Sequence, residues 1–203
     1  SRVVTQLLCA TEWGDLDYLL LDTPPGTGDA LITLCQTASL DGAVVVTTPS
    51  RLAYVDVAKG LEMFRSLNVP PLMVVENMAY FDCADGQRHF LFGKGSGDRV
   101  AAEAGLPPPQ KVPLTEASSR ANALSMPVYL LEPEGPEAKA YEVAADVLHS
   151  TASDRRERAM ELRAETGEGE AAGEVEKSPI LVIKGERSLR LRVFSEKSAE
   201  EIE

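Results

Sequence analysis

Basic residues are the minority of the charge in this chain. Lys and Arg total 20 against 32 Asp and Glu, a net charge of -12 over 203 residues. An acidic excess of this size argues against binding to nucleic acid or to an anionic membrane. Cysteine is scarce. The three thiols, Cys9, Cys35 and Cys83, are too widely spaced for a disulfide framework and fit a reducing compartment. No apolar run approaches the length of a membrane span, and no secretory signal is visible. The chain opens at Ser1 without Met, inside a helical pattern, so a transit peptide upstream would leave no trace in it. Also lacking is Gly-x-x-x-x-Gly-Lys-[Ser/Thr], the loop whose amides cradle phosphates and whose lysine reaches the terminal phosphate. Phe92-Gly-Lys-Gly-Ser-Gly97 contains Gly-Lys without that spacing, and Lys94 reads as a surface loop residue.

What is present centres on Asp17-Tyr-Leu-Leu-Leu-Asp-Thr-Pro-Pro-Gly-Thr-Gly-Asp29. Tyr18 to Leu21 reads as a strand buried on both faces of a parallel sheet. It ends in the carboxylate of Asp22, where open α/β sheets bind ligands. Pro24 and Pro25 pre-set the turn that follows, and Gly26 and Gly28 let its backbone approach a ligand. Asp29 is placed either to cap the next helix or to make a functional contact.

The remaining pattern alternates. Val3 to Thr11 is a helix face, with apolar residues at 3, 4, 7 and 8 expected against the sheet. Helices are expected over Ala30 to Thr37 and Leu52 to Leu67, the latter burying Val55, Ala58, Leu61, Met63, Phe64 and Leu67. Strands are expected over Gly42 to Thr48 and Pro70 to Asn77. Such alternation implies an α/β, three-layer α/β/α sandwich with a mostly parallel sheet. Met78 to Gly97 reads as a loop with a hairpin turning at Asp85-Gly86. A helix over Asp98 to Ala104, a short edge strand at Gln110 to Val112, a helix start at Thr115 and a long helix from Glu137 to about Leu162 follow. Glu165 to Ser178 reads as a solvated linker, and Pro179 to Phe194 as two short strands about Gly185.

Asp22-Thr-Pro-Pro-Gly-Thr-Gly-Asp29 resembles the switch II motif of the Mrp family, the iron–sulphur cluster carriers among MinD/ParA-like P-loop NTPases. Val46-Thr-Thr-Pro-Ser50, Gly60-Leu-Glu-Met-Phe64, Val74-Val-Glu-Asn-Met78 and Phe92-Gly-Lys-Gly-Ser-Gly97 carry the likeness further, over about residues 1–150. Phe81-Asp-Cys-Ala-Asp-Gly-Gln-Arg is most similar to the plastid branch, so the resemblance implies the chloroplast stroma, with the cytoplasm as alternative. It implies three pieces: 1–150 as the C-terminal part of the NTPase domain, 151–178 as a charged helix and linker, and 179–203 as the start of a small β-containing domain.

The resemblance also implies roles. Asp22 would hold magnesium through water and Gly26 would sense the terminal phosphate of ATP, with Pro24 stiffening their loop. Asn77 would hydrogen-bond the adenine, and Pro113 and Leu114 would wall it. Cys83 would ligate an iron–sulphur cluster. Many family members carry Cys-x-x-Cys there, two subunits contributing a pair each, whereas Gly86 stands here at the second position. Cys83 therefore reads equally as a free loop cysteine, and Cys9 and Cys35 as small core residues. The implied whole is an ATP-dependent cluster carrier or scaffold, a homodimer serving apo-protein recipients. Its rivals are a MinD/ParA-type regulatory ATPase without metal, and a non-enzymatic scaffold.

Overall fold

A computed structural model describes residues 2–14, 16–24, 26–38, 40–166 and 180–184. The chain runs through α1 (Arg2–Cys9), β1 (Leu19–Thr23), α2 (Asp29–Thr37), β2 (Gly42–Thr47), α3 (Arg51–Ser66) and β3 (Pro71–Glu76). A two-stranded hairpin, β4 (Phe81–Asp82) and β5 (Arg88–His89), leads to α4 (Ser96–Ala104) and β6 (Gln110–Lys111). Three helices, α5 (Glu116–Ala123), α6 (Val128–Leu131) and α7 (Pro136–Thr166), precede β7 (Ile180–Lys184). The main sheet has the order β1-β7-β2-β3-β6, with every neighbouring pair parallel.

The core is built on β2 and β3. Every residue of β2 is buried, as is β3 from Leu72 onward. Side chains alternate between faces along a strand. Val44, Val46, Met73 and Val75 pack with Ala140, Ala144, Leu148 and Ala152 of α7, an alanine-rich stripe that lets the helix lie close. Val45 and Val74 point the other way, to Val57 and Leu61 of α3 and Val100 and Ala101 of α4. Ala43 packs with Leu31, Leu34 and Phe64 on that second face. The result is the expected three-layer α/β/α arrangement.

Several local expectations are corrected. β1 lies at a sheet edge and its leucines are half-buried, not enclosed on both faces. In α1 only Val4 and Leu8 pack inward, while Val3 and Leu7 face solvent. In α3 the buried stripe is Ala53, Val57, Gly60, Leu61 and Phe64, and Val55 is exposed. The first of the two C-terminal strands, Ile180–Lys184, joins the main sheet in parallel between β1 and β2. Its expected partner beyond Gly185 lies outside the described residues, as does most of the expected linker.

Gly42 opens β2 where any side chain would meet β3. A Cβ there would overlap Leu72, with both Cδ carbons 2.7 Å away. We expect Gly42→Ala to destabilise the protein by about 1–3 kcal/mol, as overpacking does. Chemical denaturation measures this; an unchanged midpoint would show that Leu72 swings clear.

Candidate functional site

Because the main strands are parallel, their carboxyl ends share one edge. At that edge β1 delivers Asp22 and Thr23, β2 Thr47, and β3 Glu76 followed by Asn77. Asp22 is exposed, and among the described residues none forms an ion pair with it. Pro24 and Gly26 are exposed beyond it, and Pro25 lies outside the described residues. Gly26 has φ +89° with nothing within 4 Å of an added Cβ. The space is open, so backbone conformation is what favours glycine there. Gly28, not Asp29, is the N-cap of α2. Its carbonyl accepts from the amides of Leu31 and Ile32. Asp29 is the first helical residue, where a carboxylate suits the positive end of the helix.

Asn77 sits at the other side of the edge. Its amide nitrogen donates to Thr47 O at 2.8 Å, and its Oδ1 accepts from Met78 N at 2.9 Å. The Met78 φ of +54° marks the kink that this side chain supports. The side-chain NH2 of Asn77 and a second lone pair on Oδ1 remain for a ligand. Beyond the kink, Ala79 N donates to Val112 O and Leu114 N to Tyr80 O. This extension brings Asn77 beside Pro113, which is buried, and Leu114, which is half-buried. Asp22 and Gly26 are not part of that group. β7 and β2 intervene, so β1 and β3 are three strand spacings, about 14 Å, apart.

The hairpin rises from the same edge. Cys83 begins its turn: Cys83 N donates to Gln87 O at 2.9 Å, and Gly86 N donates to Cys83 O at 3.0 Å. Asp85 Oδ1 accepts from Gln87 N at 3.0 Å. Gly86 has φ +81°, a conformation an L side chain rarely adopts. A second cysteine at this position would strain the turn as it is folded here. Cys83 is half-buried and free, Cys35 is half-buried beside the Leu31 group, and Cys9 is exposed. The core expectation for Cys9 is thus corrected; one residue past Leu8, it is turned about 100° from the packed face. Among the described residues no group of three or more His, Cys, Asp or Glu side chains is placed to hold a metal ion. A lone thiolate per chain does not fill the ligand set of a cluster, and two copies would supply two of the usual four.

Polar contacts brace the hairpin base. Arg88 donates to both Asp82 oxygens, at 2.7 and 2.8 Å, and stacks 3.6 Å from the Tyr80 ring centroid. Lys94 lies 3.6 Å over the Phe90 ring and is exposed, as expected. Phe90 and Phe92 are themselves exposed, so they do not form a closed shield around Cys83. The start of α4 is anchored twice. Ser96 Oγ donates to Pro49 O at 2.8 Å, and Gly97 N donates to Glu76 Oε1 at 2.8 Å. Glu76, at 3% exposure, is a site-edge residue that sequence reasoning missed. A Glu at the end of an apolar run reads as the point where the strand meets water; the only hint was the glycine-rich partner loop.

A family model described as ParA, the NUBPL iron-transfer P-loop NTPase, matches residues 1–149. The chain belongs to this family. Fe-S cluster assembly factor HCF101, chloroplastic, from Oryza sativa subsp. japonica is 49% identical over 142 residues, covering 70% of this chain and 27% of that protein. The iron-sulfur cluster carrier protein of Aquifex aeolicus (strain VF5) is 43% identical over 148 residues, covering 72% of this chain and 41% of that protein. A solved structure of a nucleotide-binding protein from Archaeoglobus fulgidus, in complex with ADP and with cobalt found in it, shares 36% identity at a TM-score of 0.56. That match covers 66% of this chain and 54% of the other. The chain thus spans about a quarter to just over half of the length of these relatives.

In this NUBPL-type chain the Asp82–Arg88 pair carries a pH signature. Hydrogen bonding from Arg88 holds the Asp82 carboxyl below its ordinary range. A depressed carboxylate contributes order that is full above its unfolded value, about 3.9, and is lost as pH falls through the lower folded value. Both side chains are solvent-accessible, so the effect is local and screened by salt. We expect amide protection across residues 81–89 to hold from neutral pH to about 4 and to decay below it. An NMR pH titration reads this. An Asp82 carboxyl titrating at the ordinary value would contradict it.

Proposed function

We propose that the protein is an ATP-dependent carrier or scaffold for iron–sulphur clusters, acting on apo-protein recipients as a homodimer. The observation that carries the reading is the placement of the Cys83 hairpin. It follows the end of β3 at the sheet edge that presents Asp22, Gly26 and Asn77, so the thiol is carried on an element that leaves the edge where a nucleotide would lie. The names of the plant, bacterial and archaeal relatives support the cluster as cargo and the nucleotide as ligand. The chloroplastic relatives favour a plastid location.

The residues divide the work by position. The Asp22 carboxylate accepts hydrogen bonds from metal-bound water, and the Gly26 amide donates toward the terminal phosphate. About 14 Å away across the edge, Asn77 offers donors and an acceptor to a base, with Pro113 and Leu114 as its apolar wall. Bound magnesium would neutralise charge on the phosphoryl group. The phosphate cradle itself has no counterpart in this sequence, so turnover belongs to the full-length protein. Residues 1–150 would be the C-terminal part of its NTPase domain and 151–178 a charged extension, and within 179–203 a further unit would open only beyond β7, which itself lies in the main sheet. Gly86 is the observation that favours a second reading, a regulatory ATPase that handles no metal.

Two substitutions in the full-length protein test the site, and the second separates the two readings. Asp22→Asn keeps the shape and removes the charge, so we expect ATP turnover to fall by about a hundredfold with folding preserved. Wild-type turnover would refute the role of Asp22 under either reading. Cys83→Ser replaces a thiolate with a poor ligand. After anaerobic reconstitution we expect lower iron and sulphide content and a weakened visible spectrum, with Cys9→Ser and Cys35→Ser unchanged. A Cys83→Ser protein with unaltered iron content would put the cluster on other cysteines, and a parent protein that retains no iron would favour the regulatory reading.

A further inference from the structure

Glu76 is a buried carboxylate to which neither the nucleotide nor the cluster assigns a task. It ends β3, immediately before Asn77, at 3% exposure. Glutamate is almost never fully buried without a partner. Its partner here belongs to another element: Gly97 N donates to Oε1 at 2.8 Å. Gly97 is the second residue of α4, and that helix lacks a cap of its own. Its N-cap is Gly95, which has no side chain and sits at φ +86°. The first amides of a helix need acceptors from elsewhere, and a carboxylate there also meets the positive end of the helix dipole. Glu76 thus caps α4 from a neighbouring strand. The contact is close on both sides, since a Cβ on Gly97 would stand 2.7 Å from Oε1 and 2.8 Å from Cδ.

What this cap holds in place is the return path of the hairpin. Residues 90–95 connect β5 to α4, so the Cys83 turn is tethered to the sheet at two ends. One is the Glu76–Tyr80 segment, hydrogen-bonded to the stretch around Val112 and Leu114. The other is the start of α4, fastened by Gly97 to Glu76 and by Ser96 to Pro49. Lys111 Nζ adds an exposed ion pair to Asp98 at 3.1 Å, a weaker tie in water. Both tethers meet at Glu76: its backbone carbonyl accepts from Val112 N and its side chain from Gly97 N.

We propose that Glu76 is a positioning residue that locks the start of α4, and with it the Cys83 hairpin, to the strand end carrying Asn77. A shift of the backbone at Asn77, such as a bound base would cause, reaches the outgoing strand through residues 78–80 and is passed to the return path through the Glu76 side chain. The link to cargo rests on the carrier reading; the lock itself does not.

The test uses Glu76→Ala, which removes the acceptor, Glu76→Gln, which keeps an oxygen in place, and Gly97→Ala, which crowds the contact from the other side. Hydrogen exchange on the 203-residue chain requires neither metal nor nucleotide. We expect Glu76→Ala and Gly97→Ala to raise exchange across residues 81–97 by about tenfold, and Glu76→Gln to stay within about threefold of the parent. Amides of β2 should keep their protection. Unchanged exchange in 81–97, or an equal rise across β2, would overturn the lock. In the reconstituted full-length protein, Glu76→Ala should lower iron retention and Glu76→Gln preserve it. Altered exchange with unaltered iron retention would leave the lock standing and overturn its connection to cargo.

Discussion

Two neighbouring strands buried on both faces constrain everything else in this molecule. β2 and β3 fill the middle layer with valine, leucine and methionine, and helices from both sides must match them. Parallel pairing follows from the connection through α3, because a crossover helix returns the chain to the same end of the sheet. Once these strands run side by side, their carboxyl ends lie at one edge. The kink at Asn77 and the hairpin that follows can then arise only there. The chemistry of the edge is a consequence of where the apolar runs stop.

The elements of that middle layer were legible because their signal is periodic and long. Gly42–Thr47, Pro71–Glu76, Arg51–Ser66 and the Asp85-Gly86 turn fall within a residue or two of where the pattern puts them. Asp22 and Asn77 are legible at the ends of their apolar runs, whereas Pro113 and Leu114 are singled out by the family resemblance. Less legible were features that depend on what lies opposite in space. The inward side of α1 is Val4 and Leu8 alone because its neighbour α2 meets only part of the stripe. Gly28 caps α2 because the turn before it delivers the chain one residue earlier than an Asp cap would need. Four-residue α6 carries too few positions to show a period. Glu76 was invisible because burying a carboxylate requires the amide of a helix 21 residues away.

The hairpin shows how a turn can limit chemistry. Its tip closes through a glycine in the left-handed region, and that conformation excludes an easy thiol at the same place. This chain presents a single sulphur, Cys83, from a braced two-stranded arm. The brace is polar and exposed, built from Asp82, Arg88 and Tyr80.

β1 has a different dependence. Its only strand partner among the described residues is β7, and Leu19 pairs with Ile180 across nearly the whole described chain. During synthesis β1 leaves the ribosome well before its partner β7 does. β2, α3 and β3 are contiguous and can assemble in the interval, since local contacts form before distant ones. The Asp22 strand must wait, held meanwhile by the packing of Leu21 with the α1 and α2 side chains. Among the described strands, the edge that carries Asp22 is therefore the last to gain its partner as the chain is made.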